Sequence, residues 1–413
     1  MRSEGMKRVG RFLLLIAAGI LFSTPLKAQH VITVLPPYDA RDPNPISFLR
    51  PYYVIHSVSG DTATAPPTTA FTPAQIRHAY GFDSVTNQGA GQVIGIVDAY
   101  DDPNIEADLG AFDQQFGLPA CTSSNGCFRK VYARGSKPAA NTNWAVEMSL
   151  DVEWAHAIAP QATIVLVESA SNSMTDLLYG VEVAVGNGAS VVSMSWTTGE
   201  FAGETALDSH FSQNGVTFLA ASGDNGTGVA YPAASPEVIG VGGTTLALSS
   251  SGNYASETGW SGSGGGLSTR EREPLYQAEF GIPDDARGYR GAPDVSYNAN
   301  PGTGYAVYDS LGISGATGWF QVGGTSAGTP QWAALVAIAN SLRVSARKAH
   351  LNATNAPLYS LGKSNAGGNY HAVTSGTNGK CGAVCSAGPG YDFVTGLGTP
   401  QAPALIAALA AQP

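Results

Sequence analysis

Gly323-Gly324-Thr325-Ser326-Ala327-Gly328-Thr329-Pro330, followed by the apolar run Trp332 to Ile338, is the stretch whose reading decides the fold. Small residues make a tight turn, and a helix begins directly behind it. A hydroxyl in that turn sits at the positive end of a helix, beside backbone N–H groups able to hold an oxyanion. Ser326 is therefore a candidate nucleophile, and a nucleophilic serine needs a base. Histidine is the usual base, but of the seven histidines, His78, His156 and His210 fall on predicted helices in unpromising contexts. Two carboxylates, Glu147 and Asp151, stand four residues apart in a helical stretch. The pattern points to acyl transfer by a serine with a carboxylate base.

Upstream, short β-branched runs of buried-strand type recur at Gln92–Val97, Ala162–Val167, Ala189–Met194, Val216–Ala221 and Val238–Val241. Helical patterns lie between them: Asn143–Ile158 before Pro160, Met174–Gly186 before Gly188, and Thr205–Gln213 before Gly215. Thr72-Pro73-Ala74-Gln75 is a helix start, with Thr72 as cap and Gln75 closing the capping box. Strands alternating with helices predict an α/β domain of three layers, a mainly parallel central sheet with helices on both faces. Residues 251–320, rich in Gly, Ser and Tyr, are expected to form loops and hairpins. No internal repeat is visible, so residues 71–413 are expected to form one domain.

The chain has 413 residues, 43% hydrophobic and 13% charged, with 51 glycines, a globular and loop-rich composition. Its net charge of −10 argues against a nucleic-acid partner. Few basic residues also limit self-repulsion once carboxylates neutralise in acid. At the N-terminus, Arg2, Lys7, Arg8 and Arg11 precede the apolar run Phe12–Phe22, with a cleavage site expected after Ala28. Residues 1–28 thus read as a signal peptide, and no second apolar run of membrane length follows. The segment carries five basic residues and one acid, so its removal leaves about −14. Residues 29–70, rich in Pro, Thr, Asp and Ser, read as an extended arm with little core. Cys121 and Cys127 enclose one short loop, Cys381 and Cys385 another; two local disulfides are the simplest pairing and fit an exported, secreted or periplasmic chain. Zinc is the rival reading, but neither pair has histidines beside it at ligand spacing.

On a helix, residues 147 and 151 are about 40° apart and share one face, while His156 lies on the opposite side. The bland reading of Glu147 and Asp151 is a pair of surface acids. Asp224 follows the buried run 216–221 directly, and in parallel sheets the carboxyl ends of strands form the active edge. Asp98 sits similarly after its own strand.

Taken together, Glu147-x-x-x-Asp151, Ser222-Gly223-Asp224 and Gly324-Thr325-Ser326-Ala327 resemble the sedolisins, serine-carboxyl peptidases with a subtilisin-like fold. Val192–Trp196, Tyr231–Pro236, Val241–Thr244, Pro293–Ser296 and Tyr391–Gly398 add to the likeness, in order, from about Phe71 to the C-terminus. The resemblance implies a secreted endopeptidase acting on polypeptides in acid, expected as a monomer with no stable membrane association after signal cleavage. It makes Ser326 the nucleophile, Glu147 the general base and later acid, Asp151 its partner, and Asp224 an oxyanion donor with the Ser326 N–H. A carboxylate in water is a poor base for a hydroxyl; burial and a second acid raise one pKa of such a pair. Asp224 can donate only when protonated. Asp98 occupies the place of the subtilisins' catalytic aspartate and reads as structural here. Ser195, Trp196, Gly265 and Gly266 are implied to line the substrate cleft. The run Ser261–Gly266 lacks the Lys-Ser/Thr ending of a phosphate loop.

Three departures stand out. Sedolisins bind one calcium near the C-terminus; Asp392, Gly388, Gly390 and Val373 match ligand positions, but Ala372 stands where a second aspartate is expected. Calcium is the one cofactor implied, through a weakened site. Family precursors usually carry a long folded prosegment, whereas only 42 residues separate Ala28 from Phe71; the usual intramolecular chaperone and inhibitor is expected to be absent. Thr197 follows Ser195-Trp196 where glycine is common, which would narrow the cleft. The second reading is a catalytically silent binding or surface protein on the same scaffold; an ordinary Ser-His-Asp hydrolase is the third.

Overall fold

The computed structural model describes residues 30–32, 49–51, 53–58, 62–283, 287–352 and 354–413. The expected signal peptide, 1–28, lies outside the described residues. Eight strands form the central sheet: β1 (Val93–Ala99), β2 (Phe128–Tyr132), β3 (Thr163–Ser169), β4 (Val191–Met194), β5 (Thr217–Ala221), β6 (Val238–Leu248), β7 (Tyr254–Gly259) and β8 (Val295–Asn298). Their order is β2-β3-β1-β4-β5-β6-β7, with β8 also beside β6, and only the β6–β7 pair is antiparallel. The all-round burial of β4 and β5 explains why they read as unbroken apolar runs.

Strand alternation assigns the two faces. A Cβ on Gly95 would come within 2.9 Å of Ala184 Cβ, so Gly95 and Val97 face the helix Met174–Gly186. Ile94, Ile96 and Asp98 therefore point to the other face, where the helix Thr142–Ile158 packs against β1 and against the long helix Thr325–Ser345. Every residue from Trp144 to Ile158 is buried, as in a helix apolar on all sides. Its start is fixed by Asn141, whose side chain accepts from the N–H groups of Asn143 and Trp144.

The antiparallel hairpin Tyr305–Ile313/Ala316–Gly323 leads into the Ser326 turn. Part of the N-terminal arm docks on this body. Val54–Val58 pairs with Ala316–Gly323, and Arg50–Pro51 pairs with Trp196–Gly199. Some sequence expectations change. The helix expected over Thr205–Gln213 is a 3₁₀ helix over Glu204–Phe211. The segment 251–320 supplies hairpins and also β8, a parallel member of the central sheet. The strand Phe128–Tyr132 has only one fully buried position, so it carried too weak a signal to be foreseen. Both expected disulfides are present, Cys121–Cys127 and Cys381–Cys385. His156 lies with its Nδ1 4.0 Å from Cys127 Sγ, but that sulfur is already bonded to Cys121. No helix among the described residues is long and apolar enough to cross a membrane.

Candidate active site

Ser326 is the second residue of the helix Thr325–Ser345. The turn before it demands glycine: Gly324 has φ 118°, and a Cβ on Gly323 would lie 2.6 Å from Ala299 O. Pro330 lies inside the helix four residues on and has no N–H, so the Ser326 carbonyl is left without its intrahelical donor. The Ser195 hydroxyl lies 3.5 Å from that carbonyl, and the Ser326 hydroxyl donates to the Ser195 carbonyl at 3.4 Å. First-turn N–H groups, Ser326's among them, have no intrahelical acceptor.

Glu147 and Asp151 lie on one face of their helix, as 100° per residue requires, and both are sealed from solvent. The reading as surface acids is thereby excluded. Asp151 accepts from the Ser195 hydroxyl at 2.8 Å, while its other oxygen and both oxygens of Glu147 have no hydrogen-bond partner. Burial pushes the Glu147 carboxyl well up, and the charges of Asp151 and Asp98 push it further; the Ser326 hydroxyl is the neighbour that favours its charged form. Burial and then Asp98 raise Asp151, with Ser195 opposing. The two titrate as a pair.

Asp224 stands in the turn after β5. Its Oδ1 accepts from the Thr325 N–H and from the Thr325 hydroxyl, both at 2.8 Å, while Oδ2 is buried without a partner. Burial raises its carboxyl to about 7 against those two bonds. A protonated Oδ2 would be a free donor beside the Ser326 turn. Gly264 N–H donates to Gly223 O at 2.7 Å, which sets the loop of Gly265 and Gly266 against this turn. A Cβ on Gly265 would strike Phe393 O at 1.9 Å, so the backbone there is packed to contact. Trp196 is buried, its indole N–H on Val97 O at 2.8 Å, and its backbone faces the arm.

Two neighbours of the acid pair escaped the sequence. Asp98, read as structural, is a third sealed acid beside Glu147 and Asp151; neither of its oxygens has a partner, and burial raises it to about 8. The signal available was strand parity, since Asp98 shares the face of Ile94 and Ile96. The Ser195 side chain, expected only to line the cleft, is the hydrogen-bond partner of Asp151. The histidines on predicted helices are engaged elsewhere. His78 meets Asp83 and Asn253, His156 meets Pro119 O, and His210 meets Glu182.

The expected calcium set does not fit. Asp392 Oδ1 accepts from Val394 N–H and Thr395 N–H, and Oδ2 from Gly388 N–H and the Thr395 hydroxyl. Four donors fill the four lone-pair positions of a carboxylate. Gly388 turns an N–H, not a carbonyl, toward it, and Ala372 adds no side-chain oxygen. With Val373 and Gly390 left to offer only neutral carbonyls, the set falls short of the charge and six to eight oxygens that calcium takes.

A parallel sheet with a serine at a helix N-terminus, next to buried carboxylates, defines a subtilisin-like scaffold. Residues 139–411 match the subtilase family. The chain is 34% identical over 375 residues to kumamolisin of Bacillus sp. (strain MN-32), covering 83% of this chain and 64% of that protein. It is 26% identical over 447 residues to a probable tripeptidyl-peptidase of Trichophyton verrucosum (strain HKI 0517), covering 92% and 72%. Among solved structures, Pseudomonas sedolisin, a serine-carboxyl proteinase complexed with two molecules of pseudo-iodotyrostatin, superposes with a TM-score of 0.69 at 28% identity, over 84% of this chain and 98% of that one. The chain belongs to the subtilase family and, within it, to the sedolisins, although it spans less than two thirds of kumamolisin's length.

Proposed function

We propose that this chain is an exported serine-carboxyl endopeptidase that hydrolyses polypeptides in acid. The observation that carries the reading is the sealed pair Glu147–Asp151 beside Ser326, with no cation shifting either carboxyl among the described residues. The Ser326 hydroxyl attacks the scissile carbonyl carbon, and its proton passes to Glu147. The oxyanion accepts from the Ser326 N–H and from protonated Asp224. Glu147 then gives its proton to the departing amine nitrogen, which breaks the C–N bond and leaves an ester on Ser326. Water attacks that ester, loses a proton to Glu147, and releases the acid product as Ser326 recovers its proton. Asp151, held by Ser195, shares the proton of Glu147 through the cycle.

Acid dependence follows from the donor. Asp224, raised to about 7, donates only below that pH. Endopeptidase rather than tripeptidyl action is the reading supported by the strand Trp196–Gly199, whose edge pairs with extended chain at Arg50–Pro51. Export accounts for the two disulfides. The test is hydrolysis of internally quenched peptides and of tripeptide amides from pH 2 to 8, with Ser326→Ala and Glu147→Gln as controls. Activity confined to acid, lost in both variants and seen on blocked peptides supports the reading; activity at neutral pH alone, or on free N-termini alone, contradicts it.

A further inference from the structure

The loop that carries Asp224, residues 222–228, is braced from outside. Its Gly226 N–H donates to Gly262 O at 2.9 Å, on the glycine-rich loop that runs to Gly266. Both loops then meet a third segment from much later in the chain, residues 376–387. Asn378 joins all three. Its carbonyl accepts from the Thr227 N–H at 2.8 Å, its side-chain amide donates to Ser263 O at 2.8 Å, and its own N–H donates to Cys385 O at 3.0 Å. Asn378 is buried, and the contact has no slack: a Cβ on Gly226 would lie 2.5 Å from Asn378 O.

A disulfide stands directly behind this contact. Cys381 and Cys385 are bridged across a 3₁₀ turn, Gly382–Cys385. Cys385 is sealed from solvent, whereas Cys381 is exposed. The Thr227 hydroxyl lies 3.7 Å from Cys381 Sγ, and a Cβ on Gly379 would meet Cys385 Sγ and Thr227 Cγ2, each at 2.9 Å. The bridge therefore packs against the same loop that Asn378 holds. Asp224 depends on that loop. Its Oδ1 is bonded to Thr325, while the direction of the unpartnered Oδ2 is left to the loop backbone. A misplacement of about 1 Å in a catalytic group costs about 10²-fold in rate.

We propose that Asn378 is a positioning residue for the oxyanion donor Asp224, and that the Cys381–Cys385 bridge holds Asn378 in place, which makes peptide hydrolysis by this chain sensitive to reduction by a dithiol. The inference rests on the peptidase reading above. A dithiol attacking the exposed Cys381 Sγ forms a mixed disulfide there and releases Cys385 as a thiol. Closure of the dithiol on itself then frees Cys381, so the protein gains two thiols and the reagent leaves as a cyclic disulfide. Without the bridge the segment loses its closure, and the Asn378 contacts alone must order it.

The test uses the full chain. Hydrogen exchange, read by mass spectrometry, follows residues 222–228, and a fluorogenic peptide follows turnover from pH 2 to 8. Near-ultraviolet circular dichroism checks that each variant is folded. Cys121→Ser/Cys127→Ser is the control: its bridge precedes β2, at the other edge of the central sheet from β7, and its loss should leave turnover unchanged. Treating that control with a phosphine cuts the one bridge left, in a chain already folded. Residues 222–228 should then exchange about tenfold faster, and kcat should fall about tenfold. Hydration of the loosened Asp224 lowers its carboxyl from about 7, so the alkaline limb of the pH–rate profile should move to lower pH. Asn378→Ala should do the same. Asn378→Asp should recover turnover in acid, where a protonated carboxyl donates to Ser263 O, and lose it as that carboxyl ionises. Turnover and an alkaline limb that ignore both the bridge and residue 378, in an active chain, overturn the positioning role alone. A folded, unaltered chain that is inert at every pH overturns the peptidase reading and the role of Asp224 with it.

Discussion

Asp98 and Asp101 lie three residues apart at the carboxyl end of β1, both sealed from solvent, and they titrate in opposite directions. Burial pushes both carboxyls up. At Asp101, Lys130 at 2.7 Å, Lys137 at 3.1 Å and the neighbouring Glu168 outweigh burial and hold the carboxyl below its ordinary range. At Asp98 nothing opposes burial, and the carboxyl stays protonated up to about 8. Burial alone therefore does not decide the charge of a buried carboxyl; among the described residues Asp101 has cations beside it and Asp98 has none. The group of Asp98, Glu147 and Asp151 can keep a mobile proton, whereas the group of Asp101, Lys130 and Lys137 is a fixed ion cluster.

Breaking the cation-free group has the largest effect. Glu147→Gln should lower kcat about 10²–10⁴-fold with little change in melting temperature. Asp224→Ala should cost about 10²–10³-fold in kcat. Asp224→Asn keeps a donor at every pH, so the alkaline limb near pH 7 should move upward, as a pH–rate profile would show. A profile whose alkaline limb ignores residue 224 would remove Asp224 from the oxyanion site.

Stability sharpens the same contrast. Asp98, Glu168 and Glu271 are raised to about 8, and Asp102, Asp224 and Asp309 to about 7, mainly by burial. Between the ordinary carboxyl value near 4 and these raised values the native chain binds more protons than the unfolded one. Their stabilising contribution is full below about pH 4 and is lost as pH rises through about 7 to 8. His371, lowered to about 4 by burial, acts the other way between about 4 and 6.5, but is one group against six. The melting temperature should fall by about 5 °C or more between pH 4.5 and pH 8 by calorimetry. A rise over that range would contradict the burial of neutral acids.

Single substitutions at these two aspartates should then differ in sign at pH 8. Asp101→Asn takes an ionic partner from Lys130, which keeps Glu168 at 2.9 Å, and from Lys137, and should cost about 1–3 kcal/mol in urea unfolding. Asp98→Asn removes an unpaired acid and should be neutral or stabilising. The smallest effect is expected at Asp392. Its carboxylate is already filled by four protein donors, so EDTA should leave the melting temperature within about 1 °C. One calcium per chain surviving dialysis would overturn that.

Much of the site was legible because it is written in local chemistry. The glycines before Ser326, the i, i+4 spacing of Glu147 and Asp151, and the strand before Asp224 each carry a backbone rule. The parallel sheet was legible from apolar runs such as Val191–Met194, whose faces are both covered. Asp98 was not, because its role depends on which face of β1 meets the helix Thr142–Ile158. Asp392 was half legible: its position could be read, but the four donors around it come from a loop closing on itself.

The sequence by itself determined the layers of the fold, the serine at a helix start and the candidate acids, since turn chemistry, periodicity and spacing act over a few residues. Only the tertiary structure decided which acids share a dry space, that Ser195 holds Asp151, and that the arm pairs with Trp196–Thr197. Those outcomes depend on contacts between segments far apart in the chain, such as Pro51 with Trp196 and Asp98 with Glu147, which no local pattern encodes.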